Sequence, residues 1–154
     1  MQASLGRIVF GFIAAALAVV TLHQVIVWAL GPGLGAINWL PSTSRAWSTA
    51  PFGPLGVPLI VNSMFWGGLW GALYGLIHEK LPGGSPVVKG LVYGLSIVVV
   101  SNWLLLPLIK GQIFGQANQV LFAGYVPTRL AAGALILSGF GIATAVFYRL
   151  LRRD

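Results

Sequence analysis

The chain has 154 residues, of which 57% are hydrophobic and 7% are charged, and its formal net charge is +7. A soluble domain carries about 25% charged residues because its surface must face water, so this composition excludes an ordinary soluble protein and predicts one embedded in lipid. Cysteine is absent, which excludes disulfides, thiolate catalysis and Cys-ligated metal centres.

Four apolar segments are long enough to cross a bilayer, whose hydrocarbon core of about 30 Å requires roughly 20 helical residues. The predicted spans are residues 8–30, 58–78, 86–109 and 127–148. The first span exceeds the about 7–15 apolar residues of a signal peptide, so we expect it to be retained. Pro58 suits a first-turn position, Ser85 is a predicted N-cap before Pro86, and Pro107 is expected to kink the third span. We predict one all-α domain over residues 1–154, an integral membrane bundle of four transmembrane helices.

An even number of spans places both termini on one side of the membrane, and basic residues favour that side. The terminal side carries Arg7, Lys80, Lys89, Arg149, Arg152 and Arg153, and the other side carries Arg45, Lys110 and Arg129. The positive-inside rule therefore predicts an antiparallel, N-in/C-in bundle with both termini in the cytoplasm. Because the basic residues border apolar segments, the expected partner is the lipid bilayer and not nucleic acid.

The connections between the spans differ in character. Residues 31–56 are rich in Gly, Pro, Ser and Thr and include Trp39 and Trp47, which predicts a loop on the membrane surface. Residues 110–126 mix polar and apolar side chains, which fits either a short interfacial helix or a partly re-entrant segment. The short connection after residue 78 predicts an antiparallel hairpin of the second and third spans.

Small residues recur along three of the spans at intervals that place them on one helix face. They are Gly67, Gly71 and Gly75 in the second span, Gly90 and Gly94 in the third, and Gly133 and Gly141 in the fourth. Such stripes, like a glycine zipper, allow helix backbones to approach closely in lipid. The similar segments 71–76 (GALYGL) and 90–95 (GLVYGL) indicate two facing helices that share this packing, with an inverted transporter-like repeat as the alternative.

Aromatic residues also follow this helical spacing, at Trp66, Trp70 and Tyr74. They are expected to fill lipid-facing or interhelical space. Stacking on a flat ligand, such as a quinone or porphyrin, is the alternative.

Three spans carry adjacent polar residues, which seek protein partners because lipid offers none. The pairs are His23 with Gln24, Asn62 with Ser63, and Ser101 with Asn102. At ~1.5 Å per residue, all three lie about 6 to 12 Å from the outer ends of their helices. They predict a polar cluster in the outer half of the bundle, flanked by Trp28, Trp66 and Trp103, with Lys110 and Arg129 at its mouth. The cluster is either a small-molecule or ion site or a structural hydrogen-bond network, and His23 is its residue able to titrate near neutral pH.

Catalytic and metal-binding patterns are missing from the sequence. The only acidic residues are Glu79 and Asp154, and neither lies in a predicted span. No serine stands in a G-x-S-x-G context and no H-x-x-x-H or H-E-x-x-H pattern occurs, so we expect no enzyme, no cofactor and no metal. Proton-coupled export is disfavoured because it relies on an intramembrane carboxylate. His78 is expected to form a solvated helix cap, too far from His23 for both to bind one haem.

The segments F-W-G-G-L-W-G (65–71), P-L-I-K-G-Q (107–112) and R-I-V-x-G-F-x-A (7–14) resemble those of a group of small, uncharacterised proteobacterial proteins of the inner membrane. The resemblance covers nearly the whole length. It implies four helices and a bacterial inner membrane, and it implies no activity.

Two functions therefore follow from the sequence. The first is a non-enzymatic structural or accessory subunit, whose glycine faces pack against further copies or a larger membrane complex. The second is a small transporter or ligand-binding protein that uses the outer polar cluster.

Overall fold

The apolar segments form helices, in which the backbone satisfies its own hydrogen bonds. The computed structural model describes residues 2–34, 37–109 and 121–152. The elements in chain order are α1 (Gln2–Ala18), a first π segment (Val19–His23), α2 (Gln24–Leu30), β1 (Pro51–Phe52), β2 (Val57–Pro58), α3 (Leu59–Ile77), α4 (Pro86–Ile97), a second π segment (Val98–Leu105), a 3₁₀ turn (Leu121–Tyr125) and α5 (Pro127–Leu151). The two short strands pair antiparallel. The protein is therefore essentially all-α, as predicted.

Helices long and apolar enough to cross a membrane are the main feature of the described residues. They are Leu5–Leu30, Leu59–Ile77, Pro86–Leu105 and Pro127–Leu151. These bounds agree with the predicted spans within a few residues. The predicted end of the third span at 109 borders on residues 110–120, which lie outside the described residues.

The helix starts follow the local chemistry of serine and proline. The Oγ atom of Ser85 accepts a hydrogen bond of 3.2 Å from the backbone N–H of Val88, and Pro86 occupies the first turn of α4. This confirms the predicted N-cap. Pro127 likewise lies in the first turn of α5. Pro58 differs from the prediction by one position, because it is the N-cap residue of α3.

The helices pack as two antiparallel pairs, α1 with α3 and α4 with α5, which are joined by contacts between α1 and α5. In the first pair, a Cβ at Gly71 would collide with the backbone of Gly11, and a Cβ at Gly75 with that of Arg7. In the second pair, the backbones of Gly90 and Gly141 meet in the same way. The pairs therefore form where missing side chains let two backbones touch.

The hairpin of α3 and α4 differs from the prediction in how its members face each other. These helices follow one another in the chain but are not a closely packed pair. The glycines of the two similar segments contact different partners: Gly71 faces α1, whereas Gly94 faces α5. The two helices instead meet through aromatic side chains, since the rings of Tyr74 and Tyr93 lie 5.1 Å apart and the Tyr93 hydroxyl donates to the carbonyl of Trp70.

Both termini of the bundle lie at one end, which we call the terminal end. There, Arg7 of α1 forms two hydrogen bonds, 2.6 and 3.1 Å long, with the carboxylate of Glu79, which follows α3. At the same end the ring of His78 packs against Tyr148 of α5, with 4.8 Å between ring centroids. The opposite end, which carries residues 31–34 and 37–58 and the 3₁₀ turn, is the loop end.

The first π segment breaks the regular helix at Thr21, which has φ −103° and ψ −107°. The loop that follows supplies a hydrogen-bond donor at this break: the indole Nε1 of Trp47 donates a hydrogen bond of 2.8 Å to the carbonyl of Val20. The backbone N–H of Trp47 also donates to the side-chain oxygen of Gln24, at 3.0 Å. This loop is thus fastened to the helix and does not merely cover the end of the bundle.

The second π segment ends two residues before Pro107. Proline has no N–H to offer the preceding turn and its ring crowds the carbonyl four residues earlier, which accounts for an irregular helix here. After residues 110–120, Phe122, Ala123 and Gly124 adopt a left-handed backbone with φ between 48° and 65°. The described part of the predicted segment 110–126 is therefore a tight turn.

Candidate functional site in the loop-end cavity

A cavity of about 240 Å³ lies between the helices in the loop-end half of the bundle. It is lined by Val19, His23, Ser63, Trp66, Gly67, Trp70, Ile97, Ser101, Asn102, Leu106, Leu137 and Phe140. These residues come from α1 through its π segment, from α3, from α4 and its π segment, and from α5. We call this the loop-end cavity.

The cavity brings together residues from all three predicted polar pairs. His23, Ser63, Ser101 and Asn102 line it, together with Trp66. The sequence separates these residues by up to 79 positions, between His23 and Asn102. These side chains are therefore brought together by the tertiary packing of the helices.

Other members of the predicted cluster lie elsewhere. Gln24 is buried but turns to the loop, where it accepts the hydrogen bond from Trp47. Asn62 does not line the cavity, and Arg129 is exposed in the first turn of α5. Adjacent residues of a helix point about 100° apart, so in these two pairs one member faces away from the cavity. Lys110 lies outside the described residues.

Ser101 and Asn102 are the pair whose two members both line the cavity. They lie in the second π segment, where the wider turn changes the directions of successive side chains. Of the three tryptophans predicted to flank the cluster, Trp66 lines the cavity, and Trp28 and Trp103 do not. Trp28 packs over Gly33 in the outer loop, whereas the Nε1 of Trp103 would lie 3.5 Å from a Cβ at Gly133.

His23 places a polar ring against an apolar wall. Its Nδ1 atom is buried and has no hydrogen-bond partner among the described residues. Its ring meets that of Phe140 edge-on, with 6.3 Å between centroids and an interplanar angle of 84°. A buried polar atom without a partner is costly, so this nitrogen is a candidate to bind a ligand or a water molecule.

The side chains of Asn102 and Trp103 lie over Gly133 of α5. A Cβ at Gly133 would come within 3.0 Å of the amide nitrogen of Asn102. The indole nitrogen of Trp103 is also buried without a partner among the described residues. Gly133 therefore provides room for polar groups at the cavity rim, in addition to any role in helix packing.

The chemistry of the cavity suits an uncharged molecule. None of the described residues that line it is acidic or basic apart from the imidazole of His23. The hydroxyl of Ser63 is engaged with the carbonyl of Leu59, at 2.9 Å. The walls are aliphatic and aromatic, and few polar groups converge on the space, which is the usual composition of a small-molecule site.

The cavity is accessible from outside the bundle. Trp66 on α3 is 57% exposed, and Asn102 on the second π segment is also exposed. These two elements are not closely packed against each other. An opening between them would admit a molecule from the side of the bundle.

Two features of this region were missed by the sequence analysis. The π segments place Val19, His23, Ser101 and Asn102 at the cavity, and π-helical turns inside helices are frequent at functional sites. Pro107 is the sequence signal for the second π segment. Thr21 is the signal for the first, since its hydroxyl donates a hydrogen bond of 2.7 Å to the Leu17 carbonyl. Threonine is so common in apolar helices that its presence alone does not predict a break.

A second polar cluster, at the terminal end, was also missed. His78 is the C-cap residue of α3, as expected, but it is half-buried and packs on the rings of Tyr74 and Tyr148, so it is not fully solvated. Its Nδ1 atom lies 3.0 Å from the carbonyl of Gly75. Burial lowers the pKa of His78 below its ordinary value. The described residues contain no group of His, Cys, Asp and Glu able to hold a metal ion.

No family model, curated protein or solved structure matches the chain.

Proposed function

We propose that the protein spans a membrane with its four helices and binds a small, uncharged molecule from the lipid phase in the loop-end cavity. The observation that carries the proposal is the cavity itself, in which an uncharged polar set from three chain segments faces apolar and aromatic walls. Membrane insertion is supported by four apolar spans with many large hydrophobic side chains exposed.

The polar groups and walls indicate the class of ligand. The amide of Asn102 both donates and accepts hydrogen bonds, the hydroxyl of Ser101 does the same, and His23 offers a ring nitrogen. Trp66 and Trp70 supply aromatic surface for a flat ring. A flat ring that carries carbonyl oxygens matches both features, whereas a charged ligand would be buried without a counter-ion.

The size of the cavity limits the ligand further. Its volume, about 240 Å³, falls below the range of about 300–1,000 Å³ that is typical of pockets for drug-sized molecules. The occupant is therefore a single substituted ring, and any tail of such a molecule passes out between α3 and the second π segment into lipid. We expect binding without chemical conversion.

The location of the protein is part of the same proposal. The excess of basic residues at the terminal end favours a cytoplasmic position for both termini. The resemblance to small proteobacterial membrane proteins supports the bacterial inner membrane.

The accessory-subunit hypothesis stays a prediction, and one of its arguments is weaker. The glycine faces named for partner packing are used inside the chain, where Gly71 contacts α1 and Gly90 contacts α5. A partner or a second copy would therefore have to dock on other surfaces. The accessory role predicts that His23→Ala and Asn102→Ala leave function intact. Gly71→Leu and Gly75→Leu do not distinguish the two functions, because either substitution would disrupt the contact between α1 and α3.

Ligand binding can be tested with a 1,4-benzoquinone that carries a short alkyl tail, since quinones quench tryptophan fluorescence. Ser101→Leu fills the cavity, and Ser96→Leu is the matched control, because Ser96 is exposed on α4 and its hydroxyl bonds to the Val92 carbonyl at 2.8 Å. We expect saturable quenching of the wild type and of Ser96→Leu, and its loss in Ser101→Leu. Asn102→Ala should weaken binding about fivefold, the effect of one lost hydrogen bond.

The matching alkylbenzene, which lacks carbonyl oxygens, serves as a competitor. It should fail to displace the quinone if hydrogen bonds select the ligand. Linear, non-saturating quenching that is identical in all variants would mean that the probe reports only partition into detergent, and the proposal would be wrong.

A further inference from the structure

A second cavity, of about 480 Å³, opens at the terminal end of the bundle, and none of its lining residues lines the loop-end cavity. Its lining includes Lys89 of α4, Arg149 and Arg152 at the end of α5, and His78 and Glu79 after α3. We call it the terminal-end cavity. Its composition is the reverse of that of the loop-end cavity, because charged and hydrogen-bonding side chains surround it.

The charges around this cavity are unbalanced. Lys89, Arg149 and Arg152 are basic, and Glu79 is the one carboxylate among the described residues of the lining. Both oxygens of that carboxylate are already engaged by the guanidinium of Arg7. The positive charge that faces the cavity is thus not neutralised by Glu79.

Hydrogen bonds hold the basic groups in place. The Nζ atom of Lys89 donates to the carbonyl of His78 at 3.0 Å, which fixes the ammonium group beside the cavity. The guanidinium of Arg152 donates to the hydroxyl of Tyr148 at 3.3 Å and lies 5.6 Å from the centre of that ring. An ammonium group has three N–H donors, so Lys89 has donors beyond the one bonded to His78 to offer an anion.

The backbone of α4 adds to the positive electrostatic potential of this cavity. The cavity is bordered by Ser85 and Pro86 at the start of α4, and no acidic residue occurs in the first turn of that helix. The positive end of the α4 dipole therefore points to the side on which Lys89 and the arginines lie. The aromatic rings of Tyr74 and Tyr148 form the inner wall.

We propose that the terminal-end cavity binds a phosphate group. Arginine and lysine side chains around a concave surface are the chemistry that recognises phosphate, since a guanidinium can donate two parallel hydrogen bonds to its oxygens. The phosphate can belong to an anionic lipid headgroup or to a free phosphate ion. The lipid source is favoured by position, because the lining spans the last turn of α3, the first turn of α4 and the end of α5, where the apolar spans stop.

The test compares binding of phosphatidylglycerol, phosphatidylcholine and inorganic phosphate to the full chain. Native mass spectrometry in detergent measures retained lipid, and inorganic phosphate is added as a competitor. The variants are Lys89→Gln and Arg152→Gln, with Lys80→Gln as the matched control. Lys80→Gln removes the same charge at the same end of the bundle. Because Lys80 is exposed and does not line the cavity, this variant leaves the cavity itself unchanged.

We expect phosphatidylglycerol to bind more tightly than phosphatidylcholine. Lys89→Gln and Arg152→Gln should each lower that affinity about fivefold, and Lys80→Gln should leave it unchanged. Thermal unfolding of each variant separates loss of binding from loss of fold, and Arg149→Gln supplies a further variant at an exposed position if either of the first two unfolds.

The outcomes identify the source of the phosphate. Selective, cavity-dependent retention of phosphatidylglycerol that millimolar phosphate does not displace identifies a lipid headgroup. Cavity-dependent binding of inorganic phosphate without preference between the lipids identifies a free ion. If neither probe binds, or if Lys80→Gln weakens binding as much as the cavity variants, the proposal is wrong.

Discussion

The contact between α1 and α3 gives the sharpest test of the fold, through the substitution Gly71→Ala. A Cβ at Gly71 would lie under 3.0 Å from the carbonyl oxygen of Gly11 and from the Cβ of Ala15, whereas ordinary van der Waals contact begins at 3.4 Å. The obstacle is mainly backbone, which cannot turn aside as a flexible side chain can. The two helices must therefore separate to accommodate one methyl group.

The magnitude follows from two opposing effects. Overpacking of a closely packed interface costs about 1–3 kcal/mol. Replacing glycine by alanine within a helix contributes up to about 1 kcal/mol in the opposite direction. The matched control is Gly6→Ala in α1, where a Cβ would meet only the edge of the Phe10 ring at 4.0 Å. That variant keeps the gain in helix propensity and has no clash.

Thermal unfolding in detergent, followed by far-ultraviolet circular dichroism, measures the difference. Gly6→Ala should unfold at or above the wild-type temperature, and Gly71→Ala should be less stable than Gly6→Ala by about 1–3 kcal/mol. Equal stability of the two variants would refute the close approach of α1 and α3 at this position.

Of three further predictions, two concern single hydrogen bonds and one concerns the titration of a histidine. Tyr93→Phe removes the hydroxyl that donates to the Trp70 carbonyl, and should destabilise the protein by about 0.6 kcal/mol, the average for interhelical hydrogen bonds in membranes, in the same unfolding assay. Trp47→Phe leaves the Val20 carbonyl without its indole donor; hydrogen exchange at the first π segment should rise, and unchanged exchange would disprove the anchoring role. The pKa of His78 is lowered by burial, so its neutral form contributes stability above the ordinary histidine value of 6.5 that is lost as the pH falls below it. His78→Gln should flatten this decline, and a variant with the same slope as the wild type would assign it to another group.

Local sequence signals predicted the helices and their starts well. Ser85 followed by Pro86 is a self-contained N-cap, and the geometry of that turn agrees with the prediction. The four spans follow from hydropathy alone, because only a helix can satisfy its backbone within an apolar stretch. Such features depend on neighbours in the chain and not on the tertiary arrangement.

Partner choice between the helices was not predictable in the same way. The segments around Tyr74 and Tyr93 look alike, yet the glycines that directly follow these tyrosines, Gly75 and Gly94, face different helices. A glycine stripe indicates that some helix approaches closely, but it does not encode which one. The pairing depends on the fit of all four helices together.

In the candidate site, too, local features were predictable and tertiary contacts were not. Its polar members were identified from their depth in the spans, and His23, Ser63, Ser101 and Asn102 line one cavity. Gln24 does not line it, because the direction of its side chain depends on the break at Thr21 and on a loop residue 23 positions away. The terminal-end cluster escaped notice because His78 and Tyr148 are distant in sequence and meet only in the folded bundle.

The most direct test of the proposed function is to identify what co-purifies with the protein. Organic extraction and mass spectrometry of the wild type, Ser96→Leu and Ser101→Leu would compare small molecules retained after purification in mild detergent. We predict one uncharged, ring-bearing species that is retained by the wild type and by Ser96→Leu and is lost when Ser101→Leu fills the loop-end cavity. Identical extracts from all three proteins would contradict the assignment of this cavity as a ligand-binding site.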